Sequence, residues 1–509
     1  MLSVDDTGPF APCPAPFNLA AYVLARAAEQ PDKTALEVVG KMPDDASVQD
    51  RNRWSYGALA RAVAGVATGL KAQGLRSGDR VLIRIGNHVE FPIAYLGAIH
   101  AGLVAIPSSA QLTGPEVTRI AALSQPALIL AEDGIALPED CDAPVLGLDA
   151  LDAMMALPPA EPDMGDPDRL AYIIFTSGTS GQPKGVCHAH RAIWARRMMW
   201  QGWYDLSPAD RLLHAGAFNW TYTLGTGLMD PWSVGATALI AAPGTQADDL
   251  PGLIERHDVT IFAAAPGVYR QMLKSGRQID APKLRHGLSA GEKLPAAVAG
   301  GWHAATGGTL HEALGMSEVS TFVSGAPARP AEPGSSGFAQ TGRKIAVLDG
   351  DGQPVSRGTP GLLAVATSDP GLMLGYLDGT GPKGDWFVTG DTVSMSETGA
   401  ITYLGRGDDM MNAGGFRVSP LEVERAFADI DGLEEAGCAA VRIKADTEVI
   451  ALFYTGPAAL PEAQLCAHAQ DRLARYKQPR LYIHLPAMPK GPNGKLSRRI
   501  LRETFEARP

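Results

Sequence analysis

Over roughly the first 400 positions, short apolar runs of β type alternate with amphipathic helical stretches, the order of sheets with helices on both faces. Ser55 has N-cap chemistry for a helix over positions 56 to about 73, and Gly74 supplies its stop. Positions 81–85 then read as a strand, 88–101 as a helix and 104–107 as a short strand. A helical stretch from near Pro115 leads to another strand at 127–131. No repeat of fixed period accompanies the alternation. At 509 residues the chain requires two or more cores.

Two segments break the pattern. Positions 154–168, MMALPPAEPDMGDPD, are rich in Pro and acid and read as a surface connection. The second break is GRGDDMMNAGG at 405–415. Beyond it comes a helix from Pro420, strands near 434–441 and 448–454, and a helix near 461–473, enough for a small domain. The expected architecture is therefore α/β: a large N-terminal multi-sheet α/β domain over 1–407, and a small mobile C-terminal α+β domain over 408–509.

Hydrophobic residues at 45% and charged residues at 19% are ordinary for a soluble enzyme. The formal net charge of −11 argues against nucleic acid as a partner, because no basic footprint is present. It does not argue against a small anion, which a local cluster of amides and cations can hold. The five cysteines, Cys13, Cys141, Cys187, Cys438 and Cys466, are scattered and lack CxxC spacing, as expected of reduced thiols. Cys187, His188 and His190 are close in sequence, but no fourth ligand stands at a zinc-site spacing. The N-terminus lacks a signal-peptide core, and the most apolar stretch, 95–107, is too short to span a bilayer and carries His100. The expectation is a cytoplasmic protein with no membrane partner.

The segment AYIIF at 171–175 has a buried-strand pattern and runs into TSGTSGQPKG at 176–185, with a helical stretch expected from His190. Glycines let backbone amides turn inward as an anion nest, hydroxyls add donors, and Lys184 adds positive charge. A polyphosphate is the natural guest. The loop is not a Walker A, since GxxxxGK[ST] is absent.

The wording YIIFTSGTSGQPKGV closely resembles the signature loop of the adenylate-forming superfamily, which includes acyl-CoA and aryl-CoA ligases, peptide-synthetase adenylation domains and beetle luciferases. Further segments resemble that family's motifs in the right order: Gly291-Glu292-Lys293, Leu314-Gly315-Met316-Ser317-Glu318, WFVTGD ending at Asp391, GRGDD with GGFRV around Asp408, and PKGPNGK ending at Lys495. The resemblance covers nearly the whole chain and is nearest to the benzoate–CoA ligase type.

It implies ATP, Mg²⁺ and coenzyme A as ligands and a reaction in two halves. A carboxylic acid attacks the α-phosphate of ATP, giving acyl-adenylate and pyrophosphate, and the thiol of coenzyme A then displaces AMP. By the resemblance, Thr176, Ser177, Gly178, Thr179, Ser180, Gly181 and Lys184 hold the β- and γ-phosphates. Glu318 carries Mg²⁺, Ser317 contacts the α-phosphate, and Gly291, Glu292, Lys293, Leu314 and Gly315 bound the adenine side. Asp391 receives the ribose hydroxyls with Arg406 assisting, and Lys495 bridges the carboxylate and the α-phosphate. Leu314 departs from the aromatic residue usual before G-x-T-E and puts an apolar side chain, not a stacking ring, against adenine. Asp408 stands at the hinge position, and a swing there would bring Gly414 and Gly415 to the pantetheine arm.

The resemblance puts acid selectivity in 218–225 (Phe218, Trp220, Tyr222) with Ala290 and Met316 opposite. Amino-acid-activating relatives place an Asp directly after the first aromatic; here Asn219 stands there, and an amide compensates poorly for burying an ammonium. An aromatic or a compact alicyclic, branched or medium-chain monocarboxylic acid is the expected substrate. A stand-alone adenylation enzyme that loads a carrier protein is the alternative, a homodimer is compatible with either, and Lys495 resembles lysines controlled by an acetyltransferase and a deacetylase.

Overall fold

The computed structural model describes residues 1–40, 52–177, 183–406, 409, 411–413, 416–444, 447–473, 475–491 and 495–506. They form two compact units: Asp5–Lys344 with Val365–Phe387, and Met1–Val4 with Ile345–Ala364 and Val388–Pro509.

The larger unit is built on two mainly parallel sheets. Among the described residues the first runs in the order Phe338–Ala339, Ser320–Ser324, Thr309–Met316, His286–Ala290, Ile261–Ala264, Arg211–Ala215, Thr237–Ala241, Thr34–Val39, Arg53–Ser55. The second runs Gly375–Tyr376, Pro183–Ala189, Leu170–Ser177, Val104–Pro107, Arg80–Arg84, Leu128–Ala131, Val145–Leu146. Central strands such as Val104–Pro107 and Ile261–Ala264 are buried along their whole length, the continuous apolar signature of parallel strands covered on both faces.

The helix Tyr56–Ala72 shows how the sequence builds these layers. Ser55 accepts the Ala58 amide at 3.2 Å and caps the start, and Gly74 at φ 84° stops the chain. Leu59, Val63, Val66 and Leu70 form one fully buried stripe at helical spacing. The stripe packs on the helix Glu90–His100, where Gly97 permits close approach: a Cβ there would lie 2.6 Å from Val66 Cγ1. The acid- and Pro-rich connection holds no helix beyond Leu148–Met155 and no strand before Leu170–Ser177; Ala160 N to Ala64 O (3.1 Å) and Asp163 N to His100 O (2.8 Å) pin it down.

One local expectation is corrected. The helix expected from His190 begins at Ala192, but the chain does not reach it directly from the loop. Leu170–Ser177 is followed by the antiparallel strand Pro183–Ala189, with Thr176 opposite Lys184, and the helix Ala192–Ala195 comes only afterwards. Gly185, Val186 and Cys187 pair on one side with Phe175, Ile174 and Ile173; on the other side Val186 and Cys187 pair with Tyr376 and Gly375. These two neighbours, one of them distant in sequence, override the local turn signal of Pro183-Lys184-Gly185.

In the smaller unit the strands Glu435–Lys444 and Thr447–Thr455 pair antiparallel, and Leu481–His484 joins the second of them in parallel. Pro420–Ala426, capped by Ser419, and Glu462–Arg472 follow the expected pattern. Phe427, Leu452 and Leu465 lie in the core below. Among the described residues no helix is long and apolar enough to cross a membrane.

Candidate active site

Both motif loops of the larger unit sit at the same topological place. Leu170–Ser177 and Thr309–Met316 are parallel strands whose carboxyl ends turn back into an antiparallel partner, and the carboxyl edge is where open α/β sheets receive ligands. In the first hairpin Thr176 faces Lys184; Gly178, Thr179, Ser180 and Gly181 lie outside the described residues, as does the Ser177 side chain. In the second, Met316 pairs with Ser320, so Ser317, Glu318 and Val319 form the tip. Gly315 makes the reversal possible, because a Cβ there would lie 2.5 Å from Ser320 O.

Residues that join the two loops come from elsewhere in the chain. Lys184 Nζ stands 5.0 Å from the ring centroid of Tyr376, and the Tyr376 hydroxyl donates to Glu318 Oε1 at 2.9 Å. His188 Nε2 donates to Ser317 O at 2.7 Å, which fixes the tautomer because a carbonyl only accepts. Burial pushes the His188 pKa down to about 4, so the ring is neutral, and it stacks on Tyr172 at 4.8 Å. Glu318 O accepts from Met373 N at 2.8 Å. Its carboxylate is half-buried.

Of the residues expected to bound adenine, Gly291 takes φ 98° and is exposed, Glu292 is half-buried, and Leu314 is half-buried beside Gly315. Lys293 does not project freely: its ammonium donates to Glu312 Oε2 (2.7 Å), Ser335 O (3.0 Å) and Ser336 Oγ (3.1 Å). Burial raises the Glu312 carboxyl pKa, with Lys293 acting against that rise.

The expected acid wall is brought together only in part. Tyr222 reaches the middle of the strand His286–Ala290, with its hydroxyl donating to Leu288 O at 3.1 Å, while its ring stacks on Trp203 at 5.7 Å and meets His214 edge-on at 4.4 Å. Phe218 instead packs against Phe91 in the main core. Ala290 is buried; Trp220 and Met316 are half-buried. A separate cavity of about 410 Å³ opens at the carboxyl ends of Arg211–Ala215 and Thr237–Ala241, beside Asn87 and His214, and none of these five predicted residues lines it.

In the smaller unit Asp391 pairs with Arg406 across adjacent strands, 3.4 Å between Oδ1 and Nη1. Burial raises the Asp391 carboxyl pKa, and the Arg406 and Lys495 charges pull it back. Lys495 is exposed; beside it Lys490 bridges Leu496, and Gly491 N donates to Lys495 O at 2.7 Å. Asp408, Gly414 and Gly415 lie outside the described residues.

Residues 23–377 match the AMP-binding enzyme family. The chain belongs to it. The 3-hydroxybenzoate–CoA ligase of Aromatoleum sp. (strain CIB) is 28% identical over 487 residues, covering 89% of this chain and 92% of that one. The 4-hydroxybenzoate–CoA/benzoate–CoA ligase of Rhodopseudomonas palustris is 30% identical over 502 residues, covering 90% of each. Among solved structures, an anthranilate CoA ligase in complex with anthranoyl-AMP superposes with a TM-score of 0.86 at 25% identity, covering 97% of this chain and 98% of the other. This member of the AMP-binding family is an adenylate-forming carboxylate–CoA ligase.

Three residues that this ligase places around the Ser317–Glu318 tip were not among the expected site residues: Tyr376, His188 and Arg196. Only His188 carried a signal, through its proximity to Cys187 and His190. Both histidines are otherwise engaged, His190 accepting the Leu19 amide at 3.0 Å, and among the described residues no group of three or more His, Cys, Asp or Glu could hold a metal ion.

Proposed function

We propose that the ligase activates an aromatic or compact alicyclic, branched or medium-chain monocarboxylic acid and passes it to free coenzyme A. The observation that carries the site assignment is the chain Lys184–Tyr376–Glu318, which ties the phosphate hairpin to the Ser317–Glu318 tip. Thr176 to Lys184 hold the β- and γ-phosphates in this reading, and Ser317 donates to the α-phosphate. Lys495 steers the carboxylate onto phosphorus as a compact cation, and Asp391, buried beside Arg406, accepts the ribose hydroxyls. A Mg²⁺ would rest on the single Glu318 carboxylate plus phosphate oxygens, the sparse protein ligation that Mg²⁺ favours, and would neutralise charge on the phosphates.

In the second half the pantetheine sulfur attacks the acyl carbon and AMP leaves with the carboxylate's former oxygen. No protein nucleophile is required. A rotation about Asp408, with 1–407 and 408–509 as the moving parts, would withdraw Lys495 and present Gly414 and Gly415 to the thiol.

The Tyr222 hydroxyl is committed to a backbone carbonyl, so it offers the acid a ring face rather than a donor. Asn219 brings no charge for an ammonium, which supports a simple acid over an amino acid. The named relatives act on benzoate and hydroxybenzoates, which supports the aromatic choice. Pyrophosphate release measured over a panel of carboxylic acids, with thioester detection on free coenzyme A, tests the proposal. Strongest release with α-amino acids, or acyl-adenylate that stays unconverted with free coenzyme A, contradicts it. Acetylation of Lys495 would remove its charge and silence the first half; finding the lysine unmodified in the native host under every growth condition tested would count against such control.

A further inference from the structure

A buried ion pair lies just behind the Glu318 tip. Arg196 Nε donates to Asp230 Oδ1 at 2.9 Å and Nη2 to Oδ2 at 2.5 Å, with side-chain exposures of 7% and 0%. Nη2 also donates to Tyr204 Oη (3.1 Å) and Thr226 Oγ1 (3.2 Å), and Nη1 to Ser320 Oγ (2.6 Å). The guanidinium thus binds two separate pieces of chain. One is the helical segment Thr223–Met229 with Asp230, which continues the candidate acid-binding stretch and is wound as a π-helix, a form frequent at functional sites. The other is the hairpin whose tip carries Ser317 and Glu318.

Two features show that the fold makes room for this contact. Gly225 lies so close to Arg196 that a Cβ there would stand 2.3 Å from Cζ, so any side chain would displace the guanidinium. Ser320 adopts φ 75°, a left-handed conformation unusual for a residue other than glycine, at the position that closes the tip. Its hydroxyl is held by Arg196. A buried ion pair is a weak source of stability compared with apolar packing, and what this one adds is geometry that only a planar, multi-donor cation can supply.

We infer that Arg196 is a positioning residue for the first half-reaction, coupling the packing of the acid-side helix to the placement of Ser317 and Glu318. The inference rests on the reading of Glu318 as the metal- and phosphate-side residue. Ser320→Ala removes the Nη1 acceptor and leaves the ion pair intact. It should slow pyrophosphate release about tenfold, the effect of one charge-assisted hydrogen bond. It should also weaken Mg·ATP binding several-fold by titration without acid, and leave thioester formation from synthetic acyl-adenylate within twofold.

The double variant Arg196→Met/Asp230→Leu removes the pair without stranding a charge and should show the same split with a larger effect. In a double-mutant cycle, Thr226→Val and Ser320→Ala should be non-additive in the first half. Wild-type pyrophosphate release and Mg·ATP affinity in Ser320→Ala, additive effects in the cycle, or equal slowing of both halves would each overturn the inference. Should the double variant not fold, Ser320→Ala and the cycle decide alone. Glu318→Gln separates the two levels: if it leaves pyrophosphate release unchanged, the underlying site assignment fails, not merely the coupling.

Discussion

Tyr376→Phe deletes one oxygen and leaves the ring beneath Lys184. The lost contact is a 2.9 Å hydrogen bond to the Glu318 carboxylate, with both side chains half-buried. A bond to a charged acceptor contributes about 1.5–3 kcal/mol, and the solvent reach of this one places it at the lower end. About 1.5 kcal/mol corresponds to roughly a tenfold loss of rate. Tyr376→Leu also removes the cation–π contact of Lys184, worth about 0.5–1 kcal/mol more at an exposed site, so its loss should be roughly two- to fivefold larger. The assay is pyrophosphate release over a Mg²⁺ series, paired with thioester formation from synthetic acyl-adenylate. The first should fall and the second should hold. Unchanged pyrophosphate release in Tyr376→Phe at every Mg²⁺ concentration would refute the link between the two loops.

Lys495→Ala should depress adenylate formation by roughly two to three orders of magnitude, the typical cost of one transition-state charge partner, while thioester formation from pre-made adenylate stays near normal. Asp408→Pro should do the reverse in the same two assays, because a fixed φ hampers the swing. Trp220→Ala should shift preference in the acid panel toward bulkier acids and leave ATP affinity nearly unchanged; equal loss for every acid with weakened ATP binding would assign Trp220 to packing. Burial pushes His188, His286 and His311 down to about 4 and His190 and His214 to about 3. The unfolded chain takes up these protons near pH 6.5 and the folded chain does not. Stability should therefore fall as pH drops from about 6.5 toward 4, by up to about 1.4 kcal/mol per pH unit for each histidine, read as Tm against pH.

The fold was legible where local signals agreed with tertiary demands. The cap at Ser55, the buried stripe of Tyr56–Ala72 and the stop at Gly74 all belong to one continuous stretch of chain, and the structure follows them closely. The helices Pro420–Ala426 and Glu462–Arg472 and the strands Glu435–Lys444 and Thr447–Thr455 were read for the same reason, whereas the strand Leu481–His484 and the helix Arg498–Glu506 were not. The phosphate hairpin was misread because Gly375–Tyr376, far along the chain, supplies the second neighbour that makes Pro183–Ala189 a strand. The site was legible as motifs but not as a network. His188 and Ser317 are 129 positions apart, and Arg196 and Ser320 are 124 apart, and no local pattern announces either pair. The limit on Lys293 was also invisible, since its partner Glu312 lies on a neighbouring strand of the sheet.

In the proposed reaction the acid's own oxygen attacks the α-phosphate of ATP before the thiol arrives. The most direct measurement uses the best acid from the panel, labelled with oxygen-18 in its carboxylate, and incubates it with the ligase, ATP and coenzyme A. AMP, pyrophosphate and acyl-CoA should form in equal amounts, and mass spectrometry should find one labelled oxygen in AMP. Unlabelled AMP, or ADP and phosphate as products, would rule out acyl-adenylate formation.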